Sequence, residues 1–300
     1  MKSKPLAIDL FCGAGGMSEG ILQAGFHIIY SNDISEDAMK TYVNRHAQLG
    51  LIHGKNTFAS CKDIRELNAQ EIYNSISKIQ DFKDNKVKIE AIFGGPPCQG
   101  FSRAGKRNSS DPRNQLFKEY IRIINELRPN YVVMENVEGF LDTIFENFVG
   151  LDGEKYKKNK VPNILMREFS KIGYKVLKPK VLNAEDYGVP QSRKRVIFIA
   201  FLPNVSAPLY PIKSEAKKIT LADAIFDLTD SSFKSGYVND CIYGRTKTIY
   251  GDNVKYDVDY KLNNELSTHS KLIYERFSLF KEGETTSDLR KRIKTEGNDL

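Results

Sequence analysis

The sequence has few cysteines, no long apolar run and no export signal. Its 300 residues contain four cysteines, Cys12, Cys61, Cys98 and Cys241, and no two of them form a CxxC pair. So few scattered thiols exclude a disulfide framework and argue against a structural zinc site. No apolar run approaches the roughly 18 residues that a membrane span needs, which excludes a transmembrane protein. The first residues lead directly into a strand-like segment, so we expect an intracellular, cytoplasmic protein.

The composition is that of a globular domain with an excess of positive charge. Apolar residues make up 40% and charged residues 28%, which is typical of a protein that folds in water. There are 45 lysines and arginines against 38 aspartates and glutamates, so the net charge is +7. That excess permits a nucleic-acid partner without requiring one. A chain of 300 residues is long enough for one large domain or for one domain and a smaller one.

Strand-like and helix-like segments alternate over the first 200 residues. Short apolar runs predict strands at 6–11, 27–31, 89–93, 131–134 and 196–201. Apolar residues at helical spacing predict helices that end before Pro129 and at Gly173. Strands separated by helices require crossover connections, so we predict a doubly wound α/β fold with a mostly parallel sheet. Ligands in such sheets bind beyond the carboxyl ends of the strands, where the glycine-rich and polar segments of this sequence lie.

A glycine-rich segment, DLFCGAGGMSEG at 9–20, follows the first predicted strand. It departs from the dinucleotide pattern GxGxxG at its last position, which is Ser18. Asp33 follows the second predicted strand, 18 residues after Gly15, where an acid commonly binds the hydroxyls of a ribose. A tight turn that needs glycine only for packing is the alternative. The order of strand, glycine turn, helix and acid favours a nucleoside-type cofactor.

A second segment, GGPPCQGFS at 94–102, follows the third predicted strand. Two prolines fix the approach to Cys98, whose thiolate would be a strong nucleophile in a cleft at the strand end. Free cysteines are more often small buried hydrophobes, and that interpretation suits Cys61 and Cys241. Residues 99–114 are polar and basic, as in a loop that closes over an anionic polymer. A solvated loop is the alternative for these charges.

Two further segments place charged residues at strand ends. YVVMENV at 131–137 places Glu135 at the end of an apolar strand, where desolvation would suit its carboxyl to donate a proton. An ion pair or a helix cap is the alternative. QSRKR at 191–195 precedes the last predicted strand, and alternation directs Arg193 and Arg195 to one face. Guanidinium groups there suit oxyanions and base carbonyls, with a solvent-facing edge as the alternative.

Taken together, these four segments resemble the DNA (cytosine-5)-methyltransferase family. The matches are to its first cofactor motif, its Pro-Cys nucleophile motif, its Glu-Asn-Val motif and its QxRxR motif, at 9–20, 94–102, 135–137 and 191–196. Weaker matches lie between them in the family's order, at 32–33, 63–64 and 113–117. The resemblance covers residues 5–203 closely. It implies that 1–203 forms a catalytic and cofactor-binding domain with the Rossmann-like fold of S-adenosylmethionine-dependent methyltransferases.

The resemblance implies transfer of a methyl group from S-adenosylmethionine to C5 of a cytosine in duplex DNA, in a restriction-modification system. Cys98 would add to C6, Glu135 would protonate N3, and Arg193, with Arg195 nearby, would hold the pyrimidine O2. The target base would be flipped out, since the reaction cannot proceed inside the stack. The resemblance implies DNA contacts from the loop after Cys98, at Gln99, Ser102, Arg103, Lys106 and Arg107. It implies a cofactor site lined by Phe11, Gly13, Gly15, Asp33, Asp63, Ile64, Pro96 and Leu116.

The family continues past its QxRxR motif with a target-recognition region and two further motifs, which we do not find in this chain. Residues 204–300 are predicted to be a linker and the start of the target-recognition region. The chain therefore resembles the amino-terminal portion of the enzyme. The expected partners are duplex DNA and a second polypeptide that carries the remaining motifs. The hypothesis that follows is that Cys98 is competent only when this polypeptide is bound.

Two other functions stay open at this point. A tRNA cytosine-5 methyltransferase has the same fold, although such relatives usually depart from the PCQGFS pattern at 97–102. A non-catalytic partner subunit would use the fold for binding, although Cys98, Glu135 and Arg193 are all present. Methyl transfer to duplex DNA compared with transfer to tRNA separates the first. Cofactor binding without turnover would support the second.

Overall fold

The computed structural model describes residues 4–83, 87–97, 116–145, 147–220, 223, 270–271, 275, 278–281 and 284–295. The chain forms two compact units, Met1–Lys218 and Ile219–Leu300. The predicted boundary after residue 203 separates two functional regions and not two compact units. It stays a prediction. None of the helices among the described residues is long and apolar enough to cross a membrane.

Five parallel strands form the middle of a sheet in the first unit. They are β1 (Leu6–Leu10), β2 (His27–Asp33), β3 (Phe58–Cys61), β4 (Ala91–Gly94) and β5 (Tyr131–Val137). Their spatial order is β3-β2-β1-β4-β5. The chain builds outward from β1 in one direction and then returns to build outward from β4 in the other. The predicted doubly wound, mostly parallel sheet is confirmed, with its switch point between β1 and β4.

Helices follow the parallel strands and pack against the sheet. They are α1 (Gly16–Gln23), α2 (Glu36–Gln48), α3 (Ala69–Ile76), α4 (Leu116–Leu127) and α5 (Val161–Lys171). Side chains cap two of the starts, since Ser35 accepts from the amide of Ala38 and Asn68 accepts from the amide of Glu71. Helix α4 buries one apolar stripe and ends before Pro129, as its spacing predicts.

The alternation of side chains along β1 separates two helix layers. Ile8 and Leu10 belong to the larger core cluster, which includes residues of α3, α4 and α5. Ala7 points to the other face and packs with Ile21 of α1. Ala7, Ile8 and Leu10 are all fully buried. Burial of a large apolar side chain contributes about 1.5–3 kcal/mol, so the end of β1 is firmly held.

An aromatic insertion separates β5 from α5. It contains four two-residue strands, paired β6 with β9 and β7 with β8: β6 (Ile144–Phe145), β7 (Phe148–Val149), β8 (Lys155–Tyr156) and β9 (Asn159–Lys160). The rings of Phe145 and Phe148 stack on Phe117 in α4, with centroids 5.4 and 4.9 Å away. Ladders this short are weak alone, so the stacked rings hold the insertion in place.

Three antiparallel strands extend the sheet beyond β5. They are β10 (Lys175–Val176), β11 (Lys180–Asn183) and β12 (Lys194–Phe201). β12 pairs with β5, with Arg195 opposite Val137 and Phe201 opposite Tyr131. The start of β12 therefore lies at the same edge of the sheet as the carboxyl end of β5. In the second unit the structure describes one longer helix, α6 (Thr286–Thr295), within the polar tail.

Candidate functional site

The carboxyl ends of the parallel strands meet at one edge of the sheet. β1 leads there into the glycine turn, residues 11–15, which connects it to α1. Three residues of the turn have positive φ angles: 59° at Phe11, 54° at Gly13 and 96° at Gly15. A positive φ strains a phenylalanine backbone, and strain of this kind collects at binding sites. The predicted motif thus forms a tight, strained turn at the sheet edge.

The glycine turn is tied to the end of β2. The amide of Cys12 donates to the carbonyl of Asn32 at 3.1 Å, and the amide of Gly13 donates to Asp33 Oδ2 at 2.9 Å. Asp33 Oδ1 accepts the amide of Ser35, also at 2.9 Å. Each carboxylate oxygen keeps a lone pair for a further donor. The structure therefore brings the predicted turn and the predicted acid together.

A cavity of about 370 Å³ opens beside these residues. Its lining comes from the ends of several strands and the start of α4: Phe11, Asn32, Asp33, Ile34, Lys62, Asp63, Ile64, Arg65, Gly95, Pro97 and Leu116. Five of the eight predicted cofactor residues are in this lining, namely Phe11, Asp33, Asp63, Ile64 and Leu116. Within the described part of the chain, Gly13, Gly15 and Pro96 lie outside it.

Six residues of the lining are not among the predicted cofactor residues: Asn32, Ile34, Lys62, Arg65, Gly95 and Pro97. Each is within two positions of a predicted residue, and that proximity was the signal available. Ile34 is 66% exposed, which leaves an apolar side chain free to contact a ligand. Asn32 has a structural task, because its side chain bonds the backbone of Lys62 through both its oxygen and its nitrogen.

Asp63 presents the second carboxylate of the cavity. A hydrogen bond from the Arg65 guanidinium lowers the pKa of Asp63 below its usual range. Arg122 of α4 supports the same turn, donating to the carbonyls of Ile64 at 3.0 Å and Leu67 at 2.7 Å. Two carboxylates between apolar walls fit a nucleoside, with hydroxyls for the acids and a base for the apolar side chains.

The end of β5 carries a carboxylate that an arginine of β12 binds. Arg195 Nε lies 2.6 Å from Glu135 Oε1, and the two side chains are 25% and 28% exposed. The antiparallel register produces this pair, since Arg195 lies opposite Val137, two positions beyond Glu135. The ion pair that was the alternative for Glu135 is thus present. The guanidinium holds the carboxylate in one orientation.

Gly95 connects the two parts of this sheet edge. A Cβ atom on Gly95 would lie 3.4 Å from Glu135 Oε2, so the Glu135 carboxylate packs beside the backbone of Gly95. Gly95 also lines the cavity. Next to it, the side chain of Asn136 donates to the carbonyl of Pro96 at 3.0 Å and fixes the segment that leads to Cys98. The cavity and the Glu135–Arg195 pair therefore share a wall at Gly95.

The two arginines of the QSRKR segment lie on either side of the start of β12. Arg193 precedes β12, as predicted, whereas Arg195 lies within it, because the strand begins two residues earlier than predicted. Arg195 is the arginine that pairs with Glu135. The prediction that Cys61 is a buried hydrophobe is wrong: it is exposed, because β3 is the outermost strand and faces solvent on one side. Several predicted residues lie outside the described residues. They are the predicted nucleophile Cys98, the predicted buried cysteine Cys241, and the predicted DNA contacts Gln99, Ser102, Arg103, Lys106 and Arg107.

Comparison with known sequences gives consistent matches. The family model of C-5 cytosine-specific DNA methylase matches residues 6–299. Type II methyltransferase M.XorII of Xanthomonas oryzae pv. oryzae is 32% identical over 294 residues, covering 92% of this chain and 62% of that protein. Type II methyltransferase M.DdeI of Desulfomicrobium norvegicum is 33% identical over 287 residues, covering 93% of this chain and 61% of that protein. The chain thus spans less than two thirds of the length of either relative.

A solved structure is similar in fold. A crystal structure of an E. coli protein, described as a prophage-encoded DNA modification methyltransferase, has a TM-score of 0.62 to this chain. The two are 25% identical, and the match covers 94% of this chain and 77% of the other. The family model, both relatives and the arrangement along the sheet edge agree. The chain belongs to the C-5 cytosine-specific DNA methylase family.

Proposed function

We propose that the chain forms the donor-binding and catalytic part of a DNA cytosine-5 methyltransferase of a restriction-modification system. The observation that carries the proposal is the shared wall at Gly95, beside which lie both the cavity and the Glu135–Arg195 pair. A methyl donor and an acceptor base must be held in contact to react, so adjacent sites suit methyl transfer. The relatives named above are type II methyltransferases, which supports the restriction-modification setting.

In this proposal the cavity binds S-adenosylmethionine. Asp33 accepts hydrogen bonds from the ribose hydroxyls, as an acid at the end of the second strand does in nucleoside-binding folds. Phe11, Ile64 and Leu116 offer apolar surface to the base, and Asp63 offers a second carboxylate. When bound there, the donor supplies an electrophilic methyl group.

The chain's own residues make the acceptor base reactive. C5 of cytosine becomes a nucleophile once the Cys98 thiolate forms a bond to C6 while Glu135 delivers a proton to N3. C5 would then take the methyl group that the bound donor supplies, and the donor would leave as the neutral thioether. Water removes the proton from C5, the electrons of that bond re-form the C5–C6 double bond and expel the Cys98 thiolate, and the proton on N3 returns to Glu135. Arg195 holds Glu135 during these steps, and Arg193 with Arg195 offers guanidinium groups to the pyrimidine O2.

The proposed substrate is duplex DNA, from which the target cytosine is flipped out to reach the sheet edge. The net charge of +7 supports a polyanionic partner. The residues predicted to contact this DNA are Gln99, Ser102, Arg103, Lys106 and Arg107. The proposal includes a second polypeptide that carries the target-recognition region. The proposed location is the cytoplasm of a prokaryote.

Transfer of a radiolabelled methyl group tests the proposal. The purified chain, alone and with a candidate carboxy-terminal polypeptide, is incubated with tritiated S-adenosylmethionine and mixed-sequence duplex DNA. We expect label in the DNA, and none with the Cys98→Ala variant. Transfer to tRNA but not to DNA, or no Cys98-dependent transfer in any combination, contradicts the proposal. Full activity of the chain alone contradicts only the need for a second polypeptide.

A further inference from the structure

Behind the glycine turn lies a group of polar side chains that the proposed chemistry does not use. This buried polar cluster consists of Asp9 in β1, Ser18 in α1, Ser31 in β2, and Tyr42 and His46 in α2. Each of the five is at most 1% exposed. None of them lines the cavity. Polar groups are costly to bury, so a cluster directly behind a ligand-binding turn calls for a physical explanation.

The cluster supports the glycine turn from behind. The ring of His46 stacks on the ring of Tyr42, with centroids 3.9 Å apart. A Cβ atom on Gly15 would lie within 3.0 Å of the His46 ring, so the backbone of the turn rests against it. The hydroxyls of Tyr42 and Ser31 are hydrogen-bonded at 2.5 Å, which joins α2 to β2. A change in the cluster is therefore transmitted to the turn.

Asp9 is a fully buried carboxyl that accepts one hydrogen bond from the residues that the structure describes. The hydroxyl of Ser18 donates to Oδ2, which joins α1 to β1 directly behind the turn. Oδ1 is buried without a partner among the described residues. Burial raises the pKa of Asp9 to about 7, with the Ser18 hydrogen bond opposing the rise and the charge of Asp33 adding to it. The carboxyl therefore exchanges a proton near neutral pH.

Four of the titratable groups around Asp9 are neutral at that pH. Burial keeps three of them protonated by raising their pKa values: Cys12, Tyr42 and Tyr120. Burial lowers the pKa of His46 below 6.5, so its ring carries no charge either. Asp33 contributes negative charge from the cavity side of the turn. Asp9 is thus the member of this group whose charge changes most readily.

We propose that Asp9 is a positioning residue that gives up its proton to solvent when a cationic donor binds over the glycine turn. This inference rests on the proposed function, because S-adenosylmethionine carries a positive sulfonium centre. With Asp33 at the ribose hydroxyls, the substituent on the ribose 5′ carbon would lie toward the glycine turn, the segment that receives the phosphate side of a nucleotide in doubly wound folds. The positive charge favours the ionised carboxylate behind the turn, where water screens little. The ionised carboxylate in return accepts a stronger hydrogen bond from Ser18 and fixes the start of α1.

Proton release gives donor affinity a pH dependence of defined sign. The donor binds the ionised form of Asp9 better, so affinity rises as the pH rises through about 7. Between pH 6 and pH 8 the ionised fraction increases about tenfold, and affinity increases by up to the same factor. At pH 7 the binding of one donor releases about half a proton.

Isothermal titration calorimetry of the full chain with S-adenosylmethionine tests the inference. Titrations at pH 6, 7 and 8, each in two buffers of different ionisation enthalpy, give the affinity and the number of protons released. We expect the rise of donor affinity with pH and the proton release to be smaller for Asp9→Asn than for the wild type, because asparagine does not titrate. Asparagine keeps the shape of the side chain and an acceptor for Ser18. The amino group of the donor titrates equally with both proteins and cancels. S-adenosylhomocysteine lacks the sulfonium charge, so we expect it to release fewer protons.

Two variants serve as matched controls. Ser18→Ala removes the hydrogen bond that lowers the pKa of Asp9, so we expect the rise in affinity to shift to higher pH. His46→Gln removes the neighbouring titratable ring, and we expect it to keep the proton release. Equal pH dependence in the wild type and Asp9→Asn overturns the linkage and leaves the donor site standing. Absence of donor binding to the wild type at every pH contradicts the linkage and the proposed function together.

Discussion

Two carboxyl side chains near one edge of the sheet have opposite surroundings. Asp9 in β1 is 1% exposed, accepts one hydroxyl and lies near the further negative charge of Asp33. Glu135 in β5 has a side chain that is 28% exposed and paired with Arg195 at 2.6 Å. Burial and the like charge of Asp33 favour the neutral form of the Asp9 carboxyl, whereas Glu135 has the Arg195 guanidinium as its partner. In the two proposals above, the Asp9 carboxyl responds to the donor and the Glu135 carboxyl is held for the acceptor base.

Replacement of Glu135 has the largest expected effect. Glu135→Gln keeps the size of the side chain but removes the proton that the proposed mechanism delivers to N3. We expect methyl transfer to fall by about 10²–10⁴-fold, as for the loss of a general acid. Affinity for S-adenosylmethionine should not change. Transfer of tritiated methyl groups to DNA measures the first quantity, and calorimetry measures the second.

The control for this variant lies three residues further along the chain. Glu138→Gln makes the same chemical change at an exposed position, and we expect normal methyl transfer from it. If Glu135→Gln lost donor binding and kept near-normal transfer at saturating donor, Glu135 would belong to the donor site. That result would contradict the division of tasks between the two carboxyls.

The variant Gly15→Ala tests how the buried polar cluster packs against the glycine turn. Gly15 has a φ of 96°, and a Cβ there would lie within 3.0 Å of the buried His46 ring. We expect Gly15→Ala to lower the free energy of unfolding by about 3 kcal/mol, because backbone strain and overpacking add. Urea denaturation followed by circular dichroism measures this change.

Gly13→Ala separates the two causes of that loss. Gly13 also has a positive φ, 54°, but a Cβ there meets nothing within 4 Å. Backbone strain alone should lower the free energy of unfolding by about 1 kcal/mol. Equal losses for Gly13→Ala and Gly15→Ala would mean that the His46 ring moves aside easily. The buried polar cluster would then not support the turn.

The raised pKa of Asp9 also links folding stability to pH. Its folded value of about 7 lies above the ordinary 3.8, so stability present in acid is lost as the pH rises through this window. From pH 5 to pH 8 the wild type should lose about 2–3 kcal/mol of unfolding free energy relative to Asp9→Asn. Urea titrations of both proteins at the two pH values measure this difference. A constant difference would mean that Asp9 titrates alike in the folded and unfolded chains.

The sequence predicts those elements that carry their own pattern. β1, β2, β4, β5 and β12 are confirmed because each contains a short apolar run that ends at turn residues. Helix α2 was not predicted, since it buries only Met39, Tyr42 and His46 along 13 residues. The two-residue strands of the insertion were not predicted either. They depend on rings such as Phe145 stacking on Phe117 in another element, which no local pattern encodes.

The site was predictable where it depends on one segment and not where it depends on two. Asp33 follows from its place at a strand end, 18 residues after Gly15. The choice of Arg195 over Arg193 as the partner of Glu135 depends on the antiparallel register of β12, which the motif does not specify. The motif at 9–20 contains Asp9 and Ser18 of the buried polar cluster. It does not indicate the contact of His46 with Gly15, which depends on α2 packing behind the turn.

The smallest expected effect comes from the arginine beside Glu135. Arg195→Lys keeps the positive charge but replaces a planar, forked group with a single ammonium, so Glu135 stays paired and loses its fixed orientation. We expect the maximal rate of methyl transfer to fall about tenfold, equivalent to about 1.4 kcal/mol, at unchanged donor affinity. Arg193→Lys is the same change two residues earlier and should reduce the rate less. If Arg195→Lys left the maximal rate unchanged, Arg195 would not be the residue that orients Glu135, and burial alone would distinguish the two carboxyls.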